Sequence, residues 1–413
     1  MTEMTELPFS SRTGAPRLRS YQTTDMAAEL YRTAEAKRTG SPAIHGDIPG
    51  MQYTVRRENG IETEILAVET EEASALLGKS IGSYYTVHTG EVRMLGVESY
   101  DACRRSIRAA LSEAIRTVLP AYRIPPDAPA PGHSDAEEPA FSDAQGEEAA
   151  ARHAVSPEWD RGGYLHDAHH SIDDTGVTCI THIPPEPVPE AEPYDIHSVL
   201  AVGLGNPELT ADAFGTLCVR GLNVTRHLIG EDSPLPAPLA SSLHALSAFC
   251  PMVLGQTGIE TLSLVRGAVD AVQPDLVILL DALAASDPAS LGKTVQISTT
   301  GIHPGSGVGN RRSPLVAETL GVPVLTVGVP TVISAAALIS RTLEDAGLLP
   351  DENAEDTAPV TPYLRKALDG CRGSFVTPKD ADLTVREYAR LTACVINETV
   401  LGEATAAEWF RRI

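Results

Sequence analysis

The apolar run Val199-Leu200-Ala201-Val202 breaks directly into Gly203-Leu204-Gly205-Asn206, and this junction restricts the possible folds more than any other stretch. A strand running into closely spaced glycines and then a helix makes a strand-to-helix turn, because glycine bends where a Cβ would obstruct. Such turns lie at the carboxyl edge of a parallel sheet, where open α/β folds place their ligands. A second apolar run, Leu276–Leu280, leads straight into Asp281. Asp212 follows the first turn and Asp281 ends the second run, so two strands bring one carboxylate each towards the same sheet edge. Asp212 could instead be a first-turn acid behind an N-cap at Thr210, and Asp281 the cap of a following helix. Five apolar residues running into Asp281 favour a carboxylate in the wall of a low-dielectric site. Burial there raises its pKa, and a second carboxylate nearby splits the two values. A pair so split holds one proton and one charge, the state that activates water and protonates a leaving amine.

The flanking pattern extends this into a fold. Strands are expected at Val199–Val202, Leu276–Leu280, Thr294–Ser298 and Val324–Gly328, with helices after Thr210, across Ile259–Val272 and across Val332–Asp345. The alternation predicts an α/β fold with a mainly parallel sheet and helices on both faces. N-terminal additions are expected as strands at Ile61–Ala67 and Ser83–His88, a short helix at Glu71–Leu77 and a long one from about Ser99 to Leu119. A last helix is expected behind Thr377 as N-cap, with Pro378 at its first position. The chain then divides into a loose arm 1–25, an N-terminal part 26–124, an insert 125–196, a core 197–347, a linker 348–374 and a C-terminal helical segment 375–413. Between Pro125 and Pro193 lie eleven of the 31 prolines, many acids and few large apolar residues. That composition cannot bury enough surface to repay ordering, so the insert is expected to be disordered.

Several function classes drop out. A formal charge of −23 argues against direct nucleic-acid binding, which calls for a basic face. The cysteines at 103, 179, 218, 250, 371 and 394 stand singly, without a Cys-x-x-Cys zinc or redox pair, and suit a reducing cytoplasm. The charge-free run Thr319–Ser340 is long enough to cross a membrane, but Pro323 and Pro330 make it read as strand, loop and helix. His166, His169 and His170 invite a metal, yet without a cysteine or rigid helix they read better as a solvated linker. Gly78-Lys79-Ser80 is no phosphate loop, because Ala73 occupies the place of the first glycine. The loop Thr300–Arg312 carries glycines at 301, 305, 307 and 309, and its His303 is open as proton carrier, metal ligand or loop strut.

The order of Val202–Asn206, Asn223–Leu228, Gly255–Thr261, Asp281–Ala285, Thr300–Asn310 and Val327–Thr331 resembles the germination protease family of spore formers. The match is dense from Val199 to about Ile339, and thinner over Thr23–Thr86 and Phe375–Asp380. The resemblance implies an atypical aspartic-type endopeptidase, with a sheet like that of hydrogenase-maturation endopeptidases. It implies Asp212 and Asp281 as the catalytic acids, with Gly203, Gly205, Asn206 and His303 in support and no cofactor. It also implies small acid-soluble spore proteins as substrates, a spore-core cytoplasmic setting, no membrane, and a homo-oligomer, a tetramer in the family. The family is made as a zymogen that trims itself after an acid preceded by a small residue and followed by an apolar residue and alanine. Thr24-Asp25-Met26-Ala27 fits that pattern, which would make 1–25 a propeptide cut between Asp25 and Met26. The chain departs from the family at Pro207, Glu208, Phe214, Thr216 and Ser286, and in its long insert. Two other readings remain: a metal-dependent peptidase with Asp212, Asp281 and His303 as ligands, and a catalytically silent protein that binds spore coat proteins. The composition of the insert carries its own test. Replacing Pro126–Pro193 by a short Gly/Ser linker is expected to leave a soluble chain with a nearly unchanged melting temperature, whereas a large drop would mean that the insert folds into the core.

Overall fold

The computed structural model describes residues 24–39, 48–121, 169–172, 178–181, 197–229, 243–304, 312–346, 361–371 and 373–402. Two compact units are present, one formed by 1–122 and 194–413 and the other by 123–193. In the larger unit, three N-terminal strands are β1 (Met51–Glu58), β2 (Ile61–Val68) and β3 (Gly82–His88). In the smaller unit, β4 (His169–Ile172) and β5 (Thr178–Thr181) pair antiparallel. The remainder of the insert expected to be disordered lies outside the described residues, as does the arm before Thr24. The larger unit continues with β6 (Ser198–Gly203), β7 (Ala245–Phe249), β8 (Leu276–Ala285), β9 (Thr294–Ser298), β10 (Val324–Ser334) and β11 (Phe375–Val376).

Its nine strands form one sheet in the order β1-β2-β3-β9-β10-β8-β6-β7, with β11 beside β10. The pairs β10–β8, β8–β6 and β6–β7 are parallel, as the alternation requires. The N-terminal additions pair antiparallel, and β9, expected among the parallel strands, runs antiparallel to both β3 and β10. The short link from β8 to β9 explains this: a strand running the same way as β8 would need a crossover of a dozen residues or more back to the other end of the sheet, and Ser286–Lys293 is too short for one.

Both faces are covered. On one, Val199, Ala201, Ile278, Leu280, Val295 and Val327 pack with the helices Val97–Ala121, Phe214–Arg220 and Ala381–Leu401. On the other, Leu200, Val202, Val277 and Leu279 pack with the helix Thr261–Val272. Alternate residues of one strand enter opposite cores, so a continuous apolar run is what a doubly covered parallel strand requires. The N-terminal end of that second face is covered by the helices Ala27–Thr39 and Glu71–Leu77, whose Ala27, Tyr31, Ala73 and Leu77 pack with Leu66 and Tyr84.

Some boundaries differ from expectation. The last helix begins at Ala381 rather than behind Thr377, because Pro378 instead closes a turn in which its carbonyl accepts Ala381 N–H at 3.1 Å. The stretch read as linker contains the helix Thr361–Gly370, whose Leu368 is buried against Ala336. The charge-free run Thr319–Ser340 is mostly β10 and the start of the helix Ala335–Asp345. Among the described residues no helix is long and apolar enough to cross a membrane.

Tyr388 anchors the last helix to the sheet's rim. Its buried hydroxyl lies 2.5 Å from Thr89 Oγ1, 3.1 Å from the Gly90 carbonyl and 3.2 Å from the Gly292 carbonyl. Removing one buried partner leaves the others unsatisfied, which costs about 1–3 kcal/mol. Tyr388→Phe is therefore expected to lower unfolding free energy by about that amount in urea titration, with the sheet retained.

Candidate active site

The turn after β6 is built around glycines. A Cβ on Gly203 would lie 2.4 Å from the Gly215 carbonyl oxygen, so only glycine lets the helix Phe214–Arg220 pack against the strand end. Gly205 has φ +98°, and a Cβ there would lie 2.0 Å from Asp212 O. The chain can thus fold back until Asn206 N–H donates to Asp212 Oδ2 at 2.8 Å. Asp212 itself closes a 3-10 turn, its N–H donating to Leu209 O at 2.7 Å. Leu204 N–H donates to Leu280 O at 2.8 Å and continues the pairing of β6 with β8 beyond the strand's last residue. Thr331 Oγ1 donates to Ala211 O at 2.5 Å and ties the same turn to β10. Asn206 Oδ1 accepts from Glu208 N–H and Gln256 Nε2, so its side chain braces the loop while its backbone serves Asp212.

Asp281 sits within β8, only 8% exposed. Burial drives its pKa well above the usual carboxylate range, and the negative charges of Asp212 and then Asp25 push it the same way; the Ala282 N–H opposes them weakly. Asp212 is also raised by burial, with the Asn206 N–H pulling it back. The structure therefore brings together the two acids singled out in the sequence and makes them unequal. Both carboxyls are pushed up, Asp281 well above the ordinary range, which makes Asp281 the readier of the two to hold a proton.

A third acid arrives from the other end of the chain. Asp25 N–H donates to Ala284 O at 2.8 Å, and Ala284 N–H donates to Asp25 Oδ2 at 3.0 Å. Thr24 Oγ1 bonds Ala284 O at 3.1 Å and Glu29 Oε2 at 2.7 Å. Glu29 Oε2 also accepts from the N–H and hydroxyl of Ser286, each at 2.8 Å. Met26 is fully buried against Leu283, Ala285 and Ile302. Leu283 and Ala285 share the strand face of Asp281 by the period of two. The stretch Thr24–Ala27 thus lies along the end of β8.

Two residues not foreseen as site members close on the same stretch. Lys79 Nζ donates to Asp25 O at 2.7 Å, and Gln296 Nε2 to the same oxygen at 3.1 Å. In register across the sheet, Gln296 faces Gly328 and Gly328 faces Asp281. The available signal for Gln296 was a long polar side chain between Val295 and Ile297 in a short strand, which the structure buries. Lys79 carried none beyond its failed phosphate-loop motif.

His303 is exposed, and Gly305–Arg311 of its loop lie outside the described residues. The donor atoms of Asp212, Asp281 and His303 do not gather within 4.8 Å of one another. Among the described residues the set that does is Glu62, Glu64 and His88, on β2 and β3. There Glu64 is already engaged by Arg32, Tyr53 and His88.

The fold and the paired acids define an α/β sheet with one carboxylate in the turn after β6 and the other inside β8, which runs on to Ala285 instead of ending at Leu280 as the sequence suggested. Residues 190–346 match the family model described as germination protease. A germination protease of Caldanaerobacter subterraneus subsp. tengcongensis is 42% identical over 216 residues, covering 48% of this chain and 64% of the relative. That of Bacillus subtilis is 48% identical over 147 residues, covering 36% of this chain and 39% of the relative. That of Halalkalibacterium halodurans is 36% identical over 245 residues, covering 49% and 65%. The chain thus spans from about two fifths to just under two thirds of the length of these relatives. The resemblance to germination proteases is shown over the region that carries Asp212 and Asp281. A solved [NiFe] hydrogenase maturation protease HycI from Thermococcus kodakarensis KOD1 covers 50% of this chain and 94% of its own, at 17% identity and a TM-score of 0.26, too loose a superposition to carry the comparison further.

The raised pKa of Asp281 fixes the sign of a stability effect. In the unfolded chain this carboxyl ionises near its ordinary value of about 3.9, so above that pH folding must retain a proton or bury a charge. Asp281→Asn removes that cost. The variant is expected to melt at a higher temperature than the native chain at neutral pH, with the gain shrinking as pH falls towards the ordinary carboxylate range. Calorimetry across that range checks it, and a lower melting temperature at neutral pH would contradict it.

Proposed function

We propose that the chain is an endopeptidase in which Asp212 and Asp281 share the work of hydrolysing a peptide bond, and that it first cuts itself between Asp25 and Met26. The observation that carries this reading is the docking of Thr24–Ala27 along β8, the strand that holds Asp281. Asp212, the better carboxylate, takes a proton from the attacking water. Asp281, which retains its proton, supplies one to the departing Met26 nitrogen. The pair ends the step with its proton moved from one acid to the other and is reset by exchange with solvent. A segment held by its own fold reaches the reacting groups without a bimolecular encounter. The similarity to germination proteases supports small acid-soluble spore proteins as the later substrates, met in the cytoplasm of the spore core, with a self-associating assembly as in the family.

Incubation of the full chain, alone and with a small acid-soluble spore protein, tests this by mass spectrometry. Both Asp212→Asn and Asp281→Asn are expected to slow cutting of either target by at least ~10²–10⁴, the usual contribution of a positioned acid or base. Cutting by either variant at the native rate, or a chelator that abolishes native cutting, would overturn the reading. The rate should rise and fall with pH, the acid limb set by Asp212 and the alkaline limb by Asp281, both above the ordinary carboxylate value.

A further inference from the structure

The peptidase reading leaves one part of the reaction without an owner: the negative charge that forms on the carbonyl oxygen when water adds. We propose that Lys79 and Gln296 form the clamp that polarises the Asp25 carbonyl and holds the oxyanion formed there. This rests on the reading of Asp25–Met26 as the bond to be cut. The linkage is held from both ends. Its oxygen receives Lys79 Nζ at 2.7 Å and Gln296 Nε2 at 3.1 Å, and its nitrogen, Met26 N–H, donates to Thr24 Oγ1 at 2.9 Å. Gln296 cannot turn over, because its Oε1 accepts the Ala27 N–H at 2.7 Å and only the oxygen of the amide can do so. Lys79 is set by the left-handed Gly78 that ends the helix Glu71–Leu77, its own N–H donating to Ser74 O at 3.3 Å. Donors from two separate elements therefore converge on one carbonyl.

The chemistry of the donors exceeds what an anchor needs. A neutral carbonyl is satisfied by one N–H, whereas an oxyanion gains most from a cation and a fixed dipole kept out of water. Lys79 is half-buried, and burial lowers its pKa against the opposing pull of Asp25 and Glu29. Bringing an ammonium group into such a place costs stability, and a carbonyl that becomes charged offsets it. The step balances as follows. Water adds to the Asp25 carbonyl carbon and its proton goes to the Asp212 carboxylate. The carbonyl π pair moves to the oxygen, facing Lys79 and Gln296. The carbonyl then re-forms, the carbon–nitrogen bond breaks, and the Met26 nitrogen takes the proton of Asp281. The products are an Asp25 α-carboxylate and a free Met26 amine. Any peptide laid in place of Thr24–Ala27 would present its carbonyl to the same two donors.

The test follows self-cutting of the full chain in Lys79→Met, Lys79→Arg and Gln296→Leu, with folding checked by the melting transition. Lys79→Met is expected to slow cutting by about 10²–10³, the usual cost of one lost oxyanion donor, and Lys79→Arg to restore part of the rate. Docking is read separately, as hydrogen-exchange protection of the Ala27 amide in chains that also carry Asp281→Asn. In the Lys79 variants, whose side chain does not touch that amide, protection should fall far less than the rate; Gln296→Leu removes the acceptor of the Ala27 N–H and is read by rate alone. A Lys79→Met rate equal to the native one, or a rate loss matched by an equal loss of Ala27 protection, would overturn the clamp. Cutting that needs Lys79 but ignores Asp281→Asn would keep the clamp and sink the two-aspartate reading. No cutting by the native chain would overturn both.

Discussion

The structure depends on a carboxyl group buried where a charge is expensive. Asp281 lies in β8, which has parallel neighbours on both sides and helices over both faces. Ionising it there would cost several kcal/mol, and Asp212 and Asp25 would add like-charge repulsion. The group therefore keeps its proton at a pH where a free aspartate would lose it. Asp212, pulled partly back by the Asn206 N–H, gives up its proton more readily. The glycines at 203 and 205 bring this about, since a side chain at 205 would collide with Asp212 and one at 203 would push the helix Phe214–Arg220 off the strand end.

Along the strand that carries Asp281 the fold holds a segment of its own chain. Thr24–Ala27 is held by backbone bonds to Ala284, by burial of Met26 and by the side chains of Lys79 and Gln296. These contacts come from the strand that carries the acid, the neighbouring antiparallel strands and the small helix at the sheet's N-terminal end. The antiparallel half of the sheet thus has a purpose beyond extending the core. It carries Gln296 in register with Asp281 across Gly328 and sets Lys79 opposite the same segment.

The parallel half of this architecture was legible in the sequence because doubly buried strands are continuous apolar runs. The nearness of Asp212 and Asp281 was legible because Asp281 directly follows such a run and Asp212 comes soon after the glycine turn of its neighbour. What could not be read was the antiparallel course of β9, which depends on loop length and on which edge is free. β7, short and small-residued, carried too little periodicity to be recognised, whereas the apolar–polar alternation of β1 over Met51–Arg56 was a usable signal. The start of the last helix was missed because Thr377-Pro378 imitates a cap while its proline is used in a turn. Lys79 and Gln296 were missed for a different reason. Both reach Asp25, from 54 and 271 positions away in the sequence, which no local pattern records.

The central claim is that water, activated by the aspartate pair, attacks the Asp25 carbonyl directly. A single round of self-cutting in heavy-oxygen water, followed by mass spectrometry of the peptides, tests it most directly. The account predicts one heavy oxygen in the new carboxylate of the fragment ending at Asp25 and none in the peptides that carry Asp212 and Asp281. Label in either aspartate with an unlabelled Asp25 terminus would mean that an aspartate attacks the carbonyl itself, and would contradict the account.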